Sequence, residues 1–151
     1  LSKYHNKVPF VKRLAESVMN SASKFGFIRT VKGGKCRFDM WEPATFGMNK
    51  AMKYEEAKAV YGNNIRRAYT YKALNRLIQG SAADQTKQAM INCYKKGFQP
   101  ILQIHDELCF SINEENDIIG IKKEMENAIE GLKVPFKTDV ALGSSWGNAK
   151  E

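Results

Sequence analysis

Residues 101–112, ILQIHDELCFSI, place three titratable side chains in the middle of an otherwise apolar, β-prone segment. The apolar halves 101–104 and 108–112 flank His105, Asp106 and Glu107 and predict a β-hairpin that turns at or near His105-Asp106. The tip lacks the Asn-Gly or Asp-Gly pair that a tight hairpin turn favours, so its residues point to a purpose other than turning. Because so apolar a run is typical of a fully buried strand, we expect this hairpin to lie in the core.

The carboxylates of Asp106 and Glu107 need an explanation if they are buried. Two adjacent carboxylates resist burial unless a cation or hydrogen-bond donors neutralise them. Hard oxygen ligands suit Mg²⁺, which one or two carboxylates typically hold together with substrate phosphates. The alternative is a solvated turn in which both carboxylates face water, and His105 alone would more often be a structural hydrogen-bonding group.

The remaining chain alternates between helical and strand-like patterns. They predict helices over residues 9–25, 49–60, 65–79, 82–96 and 115–132, a hairpin over 26–38, a loop over 39–48 and a half-buried strand over 136–142. Ser81 followed by Asp84 resembles a capping box, so we expect the helical pattern to break at Gly80-Ser81. These elements together predict an α+β fold in which helices pack against a small antiparallel sheet.

A polar stripe is expected on the helix predicted over residues 65–79. Its members are Arg67, Tyr71, Asn75 and Gln79, each four residues apart, with the basic Arg66, Lys72 and Arg76 beside them. Amide and guanidinium groups suit the acceptor edges of a DNA minor groove, and basic side chains suit phosphates. The alternative is a solvated polar face, which is the commoner reason for such a pattern.

Charge and composition favour a polyanion-binding protein. The net charge is +8 with a pI near 9.4, although a basic protein without a nucleic-acid partner has the same values. No apolar run approaches the roughly 20 residues of a membrane helix, and the three cysteines show no metal-site spacing, which favours a reducing compartment. The chain begins with Leu1 rather than Met, so we expect it to be a piece of a longer polypeptide.

The segment NRLIQGSAADQTKQAM, followed further along by LQIHDEL, resembles the family A DNA polymerases. The closing GSSWGNA is similar to the Gly/Trp tail of many members, and VPFV with SKFGFIRTVKGGKCRF is similar to their late fingers region. Residues 39–64 are longer than the connection in typical bacterial members, which favours a phage-type enzyme. The resemblance implies that residues 1–65 end the fingers and that residues 66–151 form the C-terminal part of the palm.

The resemblance also implies roles for residues of the hairpin. Asp106 would be one of two aspartates that hold the catalytic metals, and Glu107 would be a neighbouring, weaker or indirect ligand. His105 would lie near the primer terminus, and Gln103 would support the same region.

On the preceding helix, Asn75 and Gln79 would touch the minor-groove side of the template-primer DNA. Tyr71 stands where many members carry Arg, so the resemblance leaves a contact at that position open. Lys72 is adjacent, but it would point about 100° away on a helix.

The activity implied is template-directed transfer of deoxynucleotides with two Mg²⁺ ions. The second metal-binding aspartate and the helix that grips the nucleoside triphosphate are not among these residues, so the site is expected to be incomplete and the chain inactive alone. An upstream polymerase portion, in the same chain or in a split partner, would complete it in the cytoplasm of a bacterial or phage-infected cell. The alternatives are a non-catalytic DNA-binding relic, a purely structural domain, or a relative of the single-subunit RNA polymerases, in which Ser usually follows His-Asp.

Overall fold

The computed structural model describes residues 7–45, 47 and 50–149 of the chain. These residues form helices and three two-stranded antiparallel sheets, which confirms the predicted α+β class. They group into two compact units, Leu1–Ser81 and Ala82–Glu151. Within the described ranges, no helix is long and apolar enough to cross a membrane.

The first unit begins with the predicted helix and hairpin. Helix α1 spans Pro9–Phe25, and Gly26 ends it in a left-handed conformation (φ 76°) with its N–H bonded to the Ala22 carbonyl. Strands β1 (Phe27–Arg29) and β2 (Lys35–Arg37) pair antiparallel. Ala22, Ile28, Phe38 and Ala73 form the buried core beneath them.

Residues 39–67 fold differently from the prediction. Instead of a loop and the start of a helix, Trp41–Pro43 (β3) and Ile65–Arg67 (β4) form a second antiparallel sheet. Between them, helix α2 covers Tyr54–Tyr61 rather than 49–60, and Asn49 lies outside the described residues. A main-chain bridge between Trp41 and Met52 holds the residues before α2 out of the helix.

A single long helix replaces the two helices predicted around Gly80. After a 3-10 turn at Thr70–Lys72, helix α3 runs without a break over Ala73–Lys95. Ser81 does not cap a new helix, because its Oγ accepts the Val31 N–H at 3.1 Å. A Cβ at position 80 would lie only 2.7 Å from Thr30 Cγ2. The absence of a side chain at Gly80 therefore allows α3 to pack closely on the β1–β2 hairpin.

The second unit contains the hairpin of β5 (Pro100–Ile104) and β6 (Glu107–Phe110), followed by helix α4 (Asn116–Glu126). Helix α4 is shorter than predicted, because the side chain and backbone amides of Asn127 both bond the Lys123 carbonyl and end it. The strand predicted over 136–142 is wrong, since none of the three sheets includes it. The Thr138 N–H instead donates to Glu126 Oε1 at 3.1 Å.

Candidate active site and nucleic-acid interface

The tip of the β5–β6 hairpin lies where the sequence predicts it. Ile104 pairs with Glu107, so His105 and Asp106 form the two-residue turn between the strands. His105 has φ 52°, in the left-handed region that favours glycine and costs most other residues about 1–2 kcal/mol. A strained, non-glycine residue at a turn is a feature that functional sites often retain.

Gln103 stabilises this turn from the preceding strand. Its side-chain Nε2 donates to the His105 carbonyl at 3.0 Å, within the hairpin itself. The amide therefore restrains the strained peptide next to Asp106. This contact places Gln103 beside the candidate catalytic residues of the turn.

The expectation that the hairpin is buried is wrong for the described residues. Ile101 is 66% exposed and Leu102 is 46% exposed, and His105, Asp106 and Glu107 are all exposed. The apolar run indicated burial, but β5 and β6 pair only with each other. Within this chain, therefore, burial does not require a cation to neutralise these carboxylates. Only their ability to act as metal ligands points to a cation site.

Asp106 and Glu107 can supply only some of the oxygen ligands that a hard divalent cation needs. Asp106 and Glu107 present adjacent carboxylates at the tip, and ionised carboxylates are acceptors with no proton to donate. No group of three or more His, Cys, Asp or Glu that could hold a metal occurs among the residues the structure describes. A cation held here would thus take its remaining ligands from substrate, water or other protein groups.

The polar stripe predicted along residues 67–79 is wrong as a single helical face. Arg67 lies on strand β4 and Tyr71 in the 3-10 turn, so of the four only Asn75 and Gln79 share a helix. The four-residue spacing is helical in the sequence, but pairing with β3 keeps residues 65–67 extended. Arg66 faces its register partner Glu42 and donates from Nε to Oε1 at 2.9 Å.

Asn75 and Gln79 lie one turn apart on α3, and both side chains are exposed. Just before this helix, Tyr71 is 68% exposed, and the Lys72 Nζ lies 5.1 Å from the Tyr69 ring and 5.7 Å from the Tyr71 ring. These four residues present amide, aromatic and cationic groups. All of them belong to the first unit, whereas the His105–Glu107 turn belongs to the second.

Arg67 and Arg76 are engaged with other parts of the first unit. The Arg67 guanidinium lies 4.6 Å from the Trp41 ring centroid, and that of Arg76 lies 4.6 Å from the Phe38 ring centroid. Neither Trp41 nor Phe38 was predicted from the sequence as a partner of these arginines. An aromatic residue within the β-prone run 36–43 was the available signal, but Pro43 and Gly47 led to a loop prediction.

Known proteins are similar to this chain over nearly its whole length. The model of DNA polymerase family A matches residues 1–148. A DNA-directed DNA polymerase of Pseudomonas phage M6 is 36% identical over 149 residues, covering 99% of this chain and 19% of the phage protein. DNA polymerase I of Caldicellulosiruptor bescii is 33% identical over 159 residues, covering 99% of the chain and 17% of that protein.

Among solved structures, the chain is similar to the POL domain of Pol1 from M. smegmatis, in complex with DNA primer-template and dNTP. The TM-score is 0.69 at 29% identity, over 98% of this chain and 24% of that one. The chain thus covers only 19% and 17% of the lengths of these two curated relatives, which is less than a fifth of each.

Proposed function

Because the chain belongs to DNA polymerase family A, we propose that it is part of a template-directed DNA polymerase. Such an enzyme joins the primer 3′-hydroxyl to the α-phosphate of a deoxynucleoside triphosphate and releases pyrophosphate. The observation that carries the proposal is the family match over residues 1–148, which includes the hairpin that presents Asp106 and Glu107 at its tip.

Asp106 is proposed as a ligand of the catalytic Mg²⁺ ions, with Glu107 as a weaker or indirect one. Two such ions, when bound, would supply positive charge that stabilises the attacking and leaving oxygens. The exposed, adjacent carboxylates support this role, and the ligands on the opposite side would come from an aspartate outside these residues. We therefore propose that the chain is inactive by itself.

The other residues of the hairpin are proposed to position the primer. His105 would lie near the primer terminus, and the Gln103 amide would keep the turn in its strained conformation through the His105 carbonyl. A polar group fixed in this way can orient a substrate without a rearrangement during the reaction.

Asn75 and Gln79 are proposed to contact the minor-groove side of the template-primer. Their amides can donate to acceptor positions that differ little between base pairs, which suits an enzyme that must accept every sequence. Tyr71 and Lys72 are proposed to contact the DNA backbone nearby, because both are exposed. Arg66, by contrast, is paired with Glu42, so a DNA contact there would compete with that ion pair.

The proposed partners are template-primer DNA, deoxynucleoside triphosphates and an upstream polymerase portion. The complex of the M. smegmatis neighbour with DNA primer-template and dNTP supports the first two, and the +8 net charge suits DNA. Fingers over residues 1–65, palm over 66–151 and a cytoplasmic location in a bacterial or phage-infected cell remain proposals.

The test is primer extension by the complete natural polypeptide that carries residues 1–151, with deoxy- and ribonucleotides compared in Mg²⁺. The proposal predicts template-directed incorporation of deoxynucleotides. Preferential incorporation of ribonucleotides would instead support a single-subunit RNA polymerase. Salt-dependent DNA binding without any incorporation would support a non-catalytic relic.

A further inference from the structure

The guanidinium group of Arg76 is bound to strand β2 and to the core beneath it. Its Nη1 donates to the Arg37 carbonyl at 2.9 Å, and its Cζ lies 4.6 Å from the ring centroid of Phe38. Phe38 is only 2% exposed and belongs to the buried core. Arg76 therefore connects the first turn of α3 to the end of the β1–β2 hairpin.

Arg67 makes a similar connection to the main chain of Phe38. Its Nη1 donates to the Phe38 carbonyl at 2.9 Å, and its Cζ lies 4.6 Å from the Trp41 ring centroid. A Cβ at Gly26 would lie only 2.6 Å from that Cζ, so the guanidinium packs directly on the end of α1. A planar group with donors in a fixed fork suits this arrangement, whereas a lysine would not reproduce it.

Helix α3 is held to the same hairpin one turn further along. Gly80 allows close approach to Thr30, and Ser81 Oγ accepts the Val31 N–H at 3.1 Å. Asn75 precedes Arg76 and Gln79 precedes Gly80, so each exposed amide is about 100° around the helix from a residue in contact with the hairpin. The contacts at Arg76 and Gly80 thereby fix the direction in which both amides point.

We propose that Arg76 is a positioning residue, which orients Asn75 and Gln79 on α3 and does not itself neutralise a DNA phosphate. This inference rests on the proposed function. The Arg37 carbonyl and the Phe38 ring hold the guanidinium against the hairpin, so moving it away to follow a phosphate would break the 2.9 Å hydrogen bond and uncover the ring. Arg76 thus acts on DNA through its neighbours, unlike the exposed Lys72.

The first test is a double-mutant cycle in the complete natural polypeptide, measured as the rate of single-nucleotide incorporation on saturating primer-template. A small displacement of positioned groups can lower a rate by about 10²-fold, so Arg76→Met is expected to reduce it by about 10- to 100-fold. Because Arg76 acts through Asn75 as well as Gln79, adding Arg76→Met to Asn75→Ala should lower the rate by less than Arg76→Met does alone. Fully multiplicative losses would overturn the proposal, since independent or merely structural effects multiply.

The second test is the salt dependence of primer-template affinity. Loss of one phosphate contact reduces the slope of log affinity against log salt by about 0.9. The proposal predicts that Arg76→Met keeps the slope of the unchanged protein, and a slope smaller by about that amount would overturn it. The matched control is Lys87→Met, which removes one charge from an exposed position on the same helix.

A third measurement keeps this inference separate from the proposed function. If the unchanged polypeptide neither binds DNA nor incorporates nucleotides, the proposed function fails. Hydrogen exchange still reports whether Arg76 holds α3: amides of residues 75–81 should exchange faster in Arg76→Met than in Lys87→Met. Equal exchange in the two variants would overturn the positioning role whatever the DNA assays give.

Discussion

At the scale of single residues, His105 combines a left-handed backbone with a side chain proposed to lie at the primer terminus. We predict that His105→Gly relieves about 1–2 kcal/mol of backbone strain and slows hydrogen exchange of the hairpin amides. The same change should lower the rate of nucleotide incorporation, because the imidazole is lost. Asn also tolerates this conformation, so His105→Asn separates strain from side-chain chemistry. A glycine variant that is both stabilised and fully active would show that the strain has no functional reason.

The thiol of Cys93 offers a second residue-scale prediction. It is buried and donates to the Ile121 carbonyl at 3.9 Å, and burial raises its pKa from 9.0 to about 11. The thiolate therefore forms at lower pH in the unfolded chain than in the folded one. The free energy of unfolding should fall by about 2 kcal/mol as pH rises from about 9 to 11, relative to a Cys93→Ala variant.

Alkylation provides the direct check on that thiol. In the folded protein at pH 8, Cys93 should react far more slowly than Cys36 and Cys109, which are only half-buried. Equal reaction rates for Cys93 and Cys109 would contradict the buried, protonated thiol.

At the scale of elements, Gly80 decides how closely α3 packs on the β1–β2 hairpin. Gly80→Ala would gain up to about 1 kcal/mol of helix propensity, but a Cβ 2.7 Å from Thr30 Cγ2 costs about 1–3 kcal/mol in overpacking. We expect the packing cost to exceed the gain in helix propensity, because Thr30 is buried and cannot easily move away. Hydrogen exchange measures this: the Val31 amide, which donates to Ser81 Oγ, should exchange faster in Gly80→Ala.

Gly147→Ala is the matched control for Gly80→Ala, since a Cβ at Gly147 meets nothing within 4 Å. It should leave the exchange of the Val31 amide unchanged. A Gly80→Ala variant that is stabilised, as an ordinary helix position would be, would contradict the packing argument.

Elements defined by local patterns were predictable, whereas those defined by distant partners were not. Pro9 and Gly26 delimit α1 by their own backbone preferences, and the apolar halves around His105-Asp106 predict the hairpin. Strand β4 was misread as helix because its partner β3 lies 24 residues earlier, as the Glu42–Arg66 pair shows. Likewise, nothing near Gly80 in sequence reveals that Thr30 packs against it.

The candidate site was predictable to the same extent. The turn at His105-Asp106 followed from the local sequence and is observed. The place of Gln103 beside it was implied only by the family resemblance, and its role there stays a proposal. The helical stripe was predicted wrongly, because Arg67 lies on strand β4. The pairing of that strand with β3 leaves no periodic pattern in the nearby sequence. Burial of the hairpin was also mispredicted, since exposure depends on which elements cover a strand and not on its own composition.

At the scale of the whole molecule, Asp106 and Glu107 are proposed to form only one side of a two-metal site. We predict that residues 1–151 alone bind primer-template with strong salt dependence, because the net charge is +8, but incorporate no nucleotide. Filter binding and primer extension with the isolated chain check both parts. Mg²⁺-dependent incorporation by this chain alone would contradict the incomplete site.

The most direct test of the central claim is primer extension by the complete natural polypeptide carrying Asp106→Ala. A bound metal ion can supply several kcal/mol of charge stabilisation in the transition state, so the loss of a ligand that holds it is expected to lower the rate by about 10³-fold in Mg²⁺. Asp139→Ala, which removes an exposed carboxylate of the same unit, is the control and should extend primers normally. Extension by Asp106→Ala at the rate of the unchanged protein would contradict the assignment of the hairpin tip as the metal-binding end of a polymerase site.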